Sequence, residues 1–175
     1  DIDWDNLRFG RYFSDHVFMS DYINGKWDDG KIIPYGPMEI EPGLCTLHYA
    51  QSIFEGLKAF NDVKGGVNIF RPDKNAERLN NSALRVCIPT YDVSTLIAAM
   101  VELVKVDHDF IPKVRGHSLY IRPVVFGLSN FLGVHSSEDF RLIVMTSPVS
   151  SYYPSGLNPV KILVEDKLVR SAKGG

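Results

Sequence analysis

Several absences narrow the reading of this chain of 175 residues before any motif is considered. Cysteine is scarce: Cys45 and Cys87 are the whole supply. Two thiols in a chain of this length make no disulfide framework and show no metal-type spacing, so both are expected to be reduced packing residues. Long apolar runs are missing too. The longest, such as Leu142–Met145, are strand-sized, far short of the ~20 residues of a membrane-spanning helix. The acidic start, Asp1-Ile2-Asp3-Trp4-Asp5, lacks the pattern of a secretory signal. No sign of charge dominates, because 19 Lys and Arg face 21 Asp and Glu and the basic residues are scattered. That leaves no basic stripe for nucleic acid and no basic amphipathic helix for a membrane surface. Repeats and low-complexity segments are absent. The histidines His16, His48, His108, His117 and His135 share no metal-ligand spacing. A reduced compartment, cytoplasmic or an organelle matrix, fits this composition best.

What is present is an ordinary globular balance. Hydrophobic residues make up 45% and charged residues 23%, enough for one substantial core and against disorder. Turn signals divide the first half into short strands. Val17–Ile23 is apolar and aromatic, and Asn24-Gly25 after it is a strong hairpin signal, since both residues tolerate positive φ. A second hairpin joins Leu57–Phe60 to Val67–Phe70 through Lys64-Gly65-Gly66. The period then changes. Arg71-Pro72-Asp73 opens a helix whose inward face carries Ala76, Leu79, Ala83 and Val86. A second helix starts at Asp92, a candidate N-cap, with a stripe of Leu96, Ile97, Met100, Leu103 and Val104, and ends before Pro112. Three more strands follow: Ser118–Phe126, a fully buried Phe140–Thr146, and Pro159–Glu165, in which Val160, Ile162 and Val164 share a face. Asn130–Asp139 is a loop. The fold class is α+β, largely antiparallel, with two helices.

Tyr120 and Arg122 lie two apart on one of these strands, so both side chains leave the same face, roughly 6.7 Å apart. A phenol and a cation are thereby offered to one cavity. Arg78, between the inward positions Ala76 and Leu79, reads by itself as an exposed helix arginine. It can also fork onto phosphate oxygens.

Local sequence narrows the function. His48-Tyr49-Ala50-Gln51-Ser52-Ile53-Phe54-Glu55-Gly56-Leu57-Lys58-Ala59-Phe60 resembles a signature of branched-chain amino acid aminotransferases. So do Phe70-Arg71-Pro72 with Asn75-Ala76-Glu77-Arg78-Leu79, and Ser118-Leu119-Tyr120-Ile121-Arg122-Pro123. Leu7-Arg8-Phe9-Gly10 and Phe13-Ser14-Asp15-His16 are similar to the family's start, and Val169-Arg170 before Lys173-Gly174-Gly175 to the run toward its cofactor lysine. The pieces occur in family order along nearly the whole chain.

The resemblance implies the fold-type IV architecture: residues 1–150 as a small N-terminal domain, and 151–175 as the connection to a larger cofactor domain and that domain's first strand. It implies pyridoxal 5'-phosphate as cofactor, amino acids and 2-oxo acids as substrates, and a homodimer. It assigns the cofactor phosphate to Arg78, with Arg71 as a mainly structural rival, and places Arg170 beside the cofactor. Phe9, Tyr49, Phe54, Tyr120, Arg122 and Tyr152 become walls of the substrate pocket. Leu132 and Val134 fall in the loop that reaches the partner subunit's site. Lys173 is not the Schiff-base lysine, which the family places a few residues farther on, beyond Gly175. The chain begins without Met and closes on Gly-Gly, so it is expected to be a piece of the enzyme, inactive alone. Two rivals stay open: another enzyme of the same fold, such as a D-amino acid aminotransferase or an aminodeoxychorismate lyase, and a non-catalytic isolated domain.

Overall fold

The computed structural model describes residues 2–153, 156 and 158–168. Strand β1 (His16–Ile23) turns at Asn24 and Gly25, both at positive φ (54° and 80°), into β2 (Lys26–Trp27), with Ile23 opposite Lys26. This is the tight hairpin the Asn-Gly pair predicts. The same ribbon continues, after an interruption at 28–30, as β3 (Lys31–Pro34), which runs back along β1. The Asp28 carboxylate closes that interruption by accepting the N–H groups of Asp21 (3.1 Å) and Gly30 (3.0 Å).

The next elements are α1 (Cys45–Tyr49), β4 (Ser52–Phe54), β5 (Leu57–Asn61) and β6 (Val67–Ile69). Strands β5 and β6 form the expected second hairpin, with Asp62 and Gly65 in its turn. Two longer helices follow, α2 (Pro72–Arg85) and α3 (Val93–Val106), then a 3-10 turn at His108–Phe110 and the long strands β7 (Ser118–Gly127) and β8 (Phe140–Val149). Pro72 stands in the first turn of α2, and Asp92 caps α3 by accepting the Thr95 N–H at 2.7 Å.

All strand pairs are antiparallel, in the order β2-β1-β8-β7-β5-β6, with β3 also on β1 and β4 also on β7. The α+β reading holds. Helices α2 and α3 cover one face, where Leu79, Leu96, Met100 and Leu103 meet Leu57, Ala59, Leu119, Ile121, Leu142 and Val144. The opposite face has only a small apolar cluster around Val17, Phe126 and Ile143. It is on this second face, with no helix over it among the described residues, that the even-numbered residues of β7 project.

Strands β4 and β5 are two pieces of one strand on the same edge of β7, in one continuous register (Phe54 opposite Val124, Leu57 opposite Ile121), with the ladder interrupted at Glu55-Gly56. That interruption lies opposite Pro123, which sits fully buried in a central strand. Proline cannot donate to a ladder, so one bond is missing there and the strand opposite is split in two. The Pro123 carbonyl accepts the Glu55 N–H at 2.9 Å, so the missing N–H of Pro123 faces the broken stretch. Its other neighbour, Val144 on β8, needs nothing from it.

Five expectations are corrected. A third helix exists, because the single turn α1 is too short to show a period. Val86 lies past the end of α2 and is exposed, and Ile88 takes the inward place when its N–H bonds the Ala83 carbonyl at 3.0 Å. Between them Cys87 adopts a left-handed φ of 57° and is exposed, so only Cys45 is a packing residue. Residues 159–165 alternate in hydropathy but pair with no strand among the described residues, and Val160, Ile162 and Val164 are exposed. Strand β8 is also longer than expected and not wholly buried: half-buried Arg141 pairs with Asp21 across β1 through two bonds of 2.7 Å.

Candidate active site

The open face of β7 gathers most of the predicted pocket residues. Arg122 donates from Nε (3.2 Å) and Nη2 (2.9 Å) to the Tyr120 hydroxyl, and its guanidinium lies over the Phe54 ring at 4.3 Å. A guanidinium is attracted both by a phenol oxygen and by a ring face, so its charge is partly satisfied without a carboxylate. The Phe9 ring meets Tyr120 edge-on at 4.8 Å, and Tyr152 meets Phe9 at 6.1 Å. Phe9, Phe13, Tyr120, Arg122, Val124, Met145 and Ser147 enclose a pocket of about 250 Å³, small beside the ~300–1,000 Å³ of drug-sized sites. Ser147 stands opposite Tyr120 in the β7–β8 register, and its buried hydroxyl has no hydrogen-bond partner among the described residues.

Glu55 joins this face to α2. Its side chain is 4% exposed, while that of Arg78 is 68% exposed. Arg78 donates from Nε (2.5 Å) and Nη2 (2.9 Å) to the two oxygens of Glu55. Asn75 Nδ2 (2.8 Å) and the Gly56 N–H (3.2 Å) donate to the same carboxylate. Burial pushes the Glu55 carboxyl up, but the hydrogen bonds from Arg78, Asn75 and Gly56 outweigh it and hold the group below the usual carboxylate range. Reciprocally, the hydrogen bond and charge of Glu55 raise Arg78. Arg71 instead turns to Asp73 on the surface.

Tyr49 belongs to a second group. Its hydroxyl donates to the Leu132 carbonyl, its ring stacks on Phe131 at 6.3 Å, and Phe131 stacks on His135 at 3.8 Å. Leu132 and Val134 are exposed at the tip of that loop. Tyr49 therefore braces the loop and does not line the Tyr120 pocket. Arg170 and Lys173 lie outside the described residues.

Sequence reasoning gave no role to Glu55, Asn75, Val124, Met145 or Ser147. Met145 and Ser147 could have been found from the alternation of β8 once its pairing with β7 was known. Glu55, a lone charge between Phe54 and Gly56 in a strand-like run, was a visible irregularity. Among the described residues no group of His, Cys, Asp and Glu is arranged to hold a metal, and no helix is long and apolar enough to cross a membrane.

No family model matches the chain. Individual proteins do. The chain is 47% identical over 174 residues to branched-chain-amino-acid aminotransferase 2 of Bacillus subtilis, covering 99% of this chain and 48% of that protein. It is 46% identical over 171 residues to a probable branched-chain-amino-acid aminotransferase of Staphylococcus aureus, over 97% of this chain and 48% of the relative. Among solved structures it is similar to a T.th. branched-chain amino acid aminotransferase complexed with N-(5'-phosphopyridoxyl)-L-glutamate, at 26% identity and a TM-score of 0.59, over 76% of this chain and 40% of that one. The Escherichia coli branched-chain amino acid aminotransferase, 22% identical with a TM-score of 0.58 over 79% of this chain and 41% of that one, shares the fold. The architecture is thus that of the small domain of fold-type IV aminotransferases. Within that class, the curated relatives that the chain matches along nearly its whole length are branched-chain-amino-acid aminotransferases. It spans about half the length of the curated relatives it matches.

Proposed function

We propose that the protein carrying this chain transfers the amino group of leucine, isoleucine or valine to 2-oxoglutarate, with pyridoxal 5'-phosphate as cofactor. The observation that carries the reading is the placement of one cation within an aromatic wall: Arg122 between Phe54 and Tyr120, with Phe9 and Tyr152 beyond. Such a site must take an apolar branched side chain and then glutamate in the same place. Phe9, Phe54 and Tyr152 supply apolar area to the first. Arg122 meets the second carboxylate of glutamate. When leucine is bound, the phenol and the Phe54 face keep Arg122 satisfied, so a buried charge is not left bare.

The residues fit the phosphate end of the cofactor. Arg78 spends Nε and Nη2 on Glu55, and its Nη1 makes no hydrogen bond among the described residues. That outward edge suits a phosphate oxygen. Pyridoxal phosphate, when bound, supplies the carbonyl and the electron sink for amino-group exchange. Arg78 anchors, Arg122 and Tyr120 select, and the aromatic rings exclude water. The division into a small domain (1–150) and a connection (151–175) and the placing of Arg170 by the cofactor are part of the same reading. So are a homodimer in which Leu132 and Val134 approach the partner's site, a cytoplasmic setting, and a role in branched-chain amino acid biosynthesis.

The test is a substrate screen on the intact protein with pyridoxal phosphate. L-leucine and 2-oxoglutarate are expected to yield glutamate and the branched 2-oxo acid. Turnover of D-alanine without turnover of L-leucine would replace this reading by that of a D-amino acid aminotransferase.

A further inference from the structure

Among the described residues Glu55 is the one carboxylate that the sheet buries beside the candidate site, at 4% exposure, and nothing in the substrate reading uses it. A buried carboxylate close to a phosphate site is costly unless it is paired, because like charges repel and desolvation disfavours both. Here it is more than paired. Both oxygens are taken: one by Arg78 Nε, the other by Arg78 Nη2, Asn75 Nδ2 and the Gly56 N–H. Asn75 also donates to the Gly56 carbonyl at 3.3 Å, which fixes the amide against the β4–β5 junction. The carboxylate is held by groups on two elements, and the exposed arginine is held by the carboxylate.

An arginine as exposed as Arg78 ordinarily samples many rotamers, and an ordinary surface ion pair does little to stop it. A planar guanidinium seated by two parallel bonds on a rigid carboxylate is different. Its orientation is fixed, and its free edge points away from Glu55.

We infer that Glu55 is a positioning residue: it orients the guanidinium of Arg78 toward the phosphate of the cofactor before the cofactor arrives. The inference rests on the reading of Arg78 given above. Pre-orientation lowers the entropy lost on binding, so it appears as affinity for a phosphate and not for the rest of the ligand. A Glu55 that only ties α2 to the β4–β5 junction would change stability and leave that preference alone.

The experiment compares dissociation constants of pyridoxal phosphate and of pyridoxal, which lacks the phosphate, for the intact apo protein, followed by absorbance. The ratio of the two Kd values isolates the phosphate. Arg78→Ala, Glu55→Gln and the double variant are measured with the parent, with thermal midpoints to confirm folding. Glu55→Gln is expected to weaken pyridoxal phosphate roughly tenfold and pyridoxal hardly at all. Adding it to Arg78→Ala is expected to do nothing further, as for two members of one unit. Glu55→Asp, which keeps the charge but withdraws it by one methylene, should fall between, and it serves if Glu55→Gln does not fold. If Arg78→Ala lowers the phosphate preference and neither Glu55 variant does, the inference is overturned and the reading of Arg78 stands. If Arg78→Ala itself leaves the preference intact, the role of Arg78 falls and takes the inference with it.

Discussion

Gly56 and Tyr120 lie in direct contact: a Cβ placed on Gly56 would stand 2.8 Å from Tyr120 Cζ and nearer still to its hydroxyl oxygen. No side chain fits between Gly56 and the phenol, so the ring that supports Arg122 rests on bare backbone. Gly56→Ala is expected to push the ring aside, at an overpacking cost of about 1–3 kcal/mol. The displaced phenol should loosen Arg122 and raise KM for leucine and glutamate together. Steady-state kinetics with a thermal scan checks this, and an unchanged KM for both substrates would show that Tyr120 is not held where the pocket needs it.

Arg122 offers a sharper separation of substrates. Arg122→Leu removes the cation and keeps apolar bulk, so the glutamate half-reaction should suffer and the leucine half-reaction should suffer less. We expect kcat/KM for glutamate to fall by roughly a hundredfold, about 2.7 kcal/mol, and that for leucine by less than about tenfold. Single-turnover spectra with each amino acid would measure the two separately. Equal losses would mean that Arg122 serves the fold of the pocket and not its choice of substrate.

Tyr49 gives a prediction about order in a loop. Its hydroxyl donates to the Leu132 carbonyl, and its ring carries the stack of Phe131 and His135. Tyr49→Phe keeps the stack and loses the bond. Hydrogen exchange at 131–135 is expected to quicken while that of β7 and β8 stays constant, since local opening is independent of the core. Were the loop protected as before, the tyrosine would have no bracing role.

The cap of α3 ties stability to acid pH. Hydrogen bonds from Ser94 Oγ, Thr95 Oγ1 and the Thr95 N–H hold the Asp92 carboxyl at about 2. A carboxyl depressed by folding stabilises the folded state above its ordinary value and loses that contribution as pH falls through its folded value. The thermal midpoint of Asp92→Ala should therefore lie below that of the parent by a constant gap above about pH 4. The gap should close as the pH approaches about 2. A gap independent of pH would assign the cap to something other than the ionised carboxylate.

Local signals were legible wherever one residue type has a single use. Asn24-Gly25 made its hairpin, Pro72 opened α2, and Asp92 capped α3. The spacing of Tyr120 and Arg122 alone placed both on one face. What depended on a partner distant in the chain was hidden. Pro123 reads as an ordinary position of its strand until the ladder interruption opposite it is seen, and Glu55 reads as a stray charge until α2 brings Arg78 and Asn75 to it. The alternation of 159–165 shows the reverse failure. A two-residue period states which side chains could share a face, but a strand also needs a neighbour to bond with, and none of the described strands provides one. Val86 and Cys87 were misplaced for a smaller reason, since the inward face of α2 passes to Ile88 through a left-handed residue that no period announces.

Strand β1 pairs with β8, and its Asp21 meets an Arg141 that is 120 residues away in the chain. At synthesis speeds of about 5–20 residues per second, that partner emerges roughly 6–24 s after Asp21 does. The helices α2 and α3 can form in the interval, but the edge of β1 has no native partner beyond its own ribbon of β2 and β3. The face that bears Tyr120 and Arg122 is therefore assembled last, at the moment β8 slides between two strands already made. While a ribosome is still building this region, the nascent chain carries apolar strands with open edges, and the interval before β8 arrives is when it most needs a chaperone.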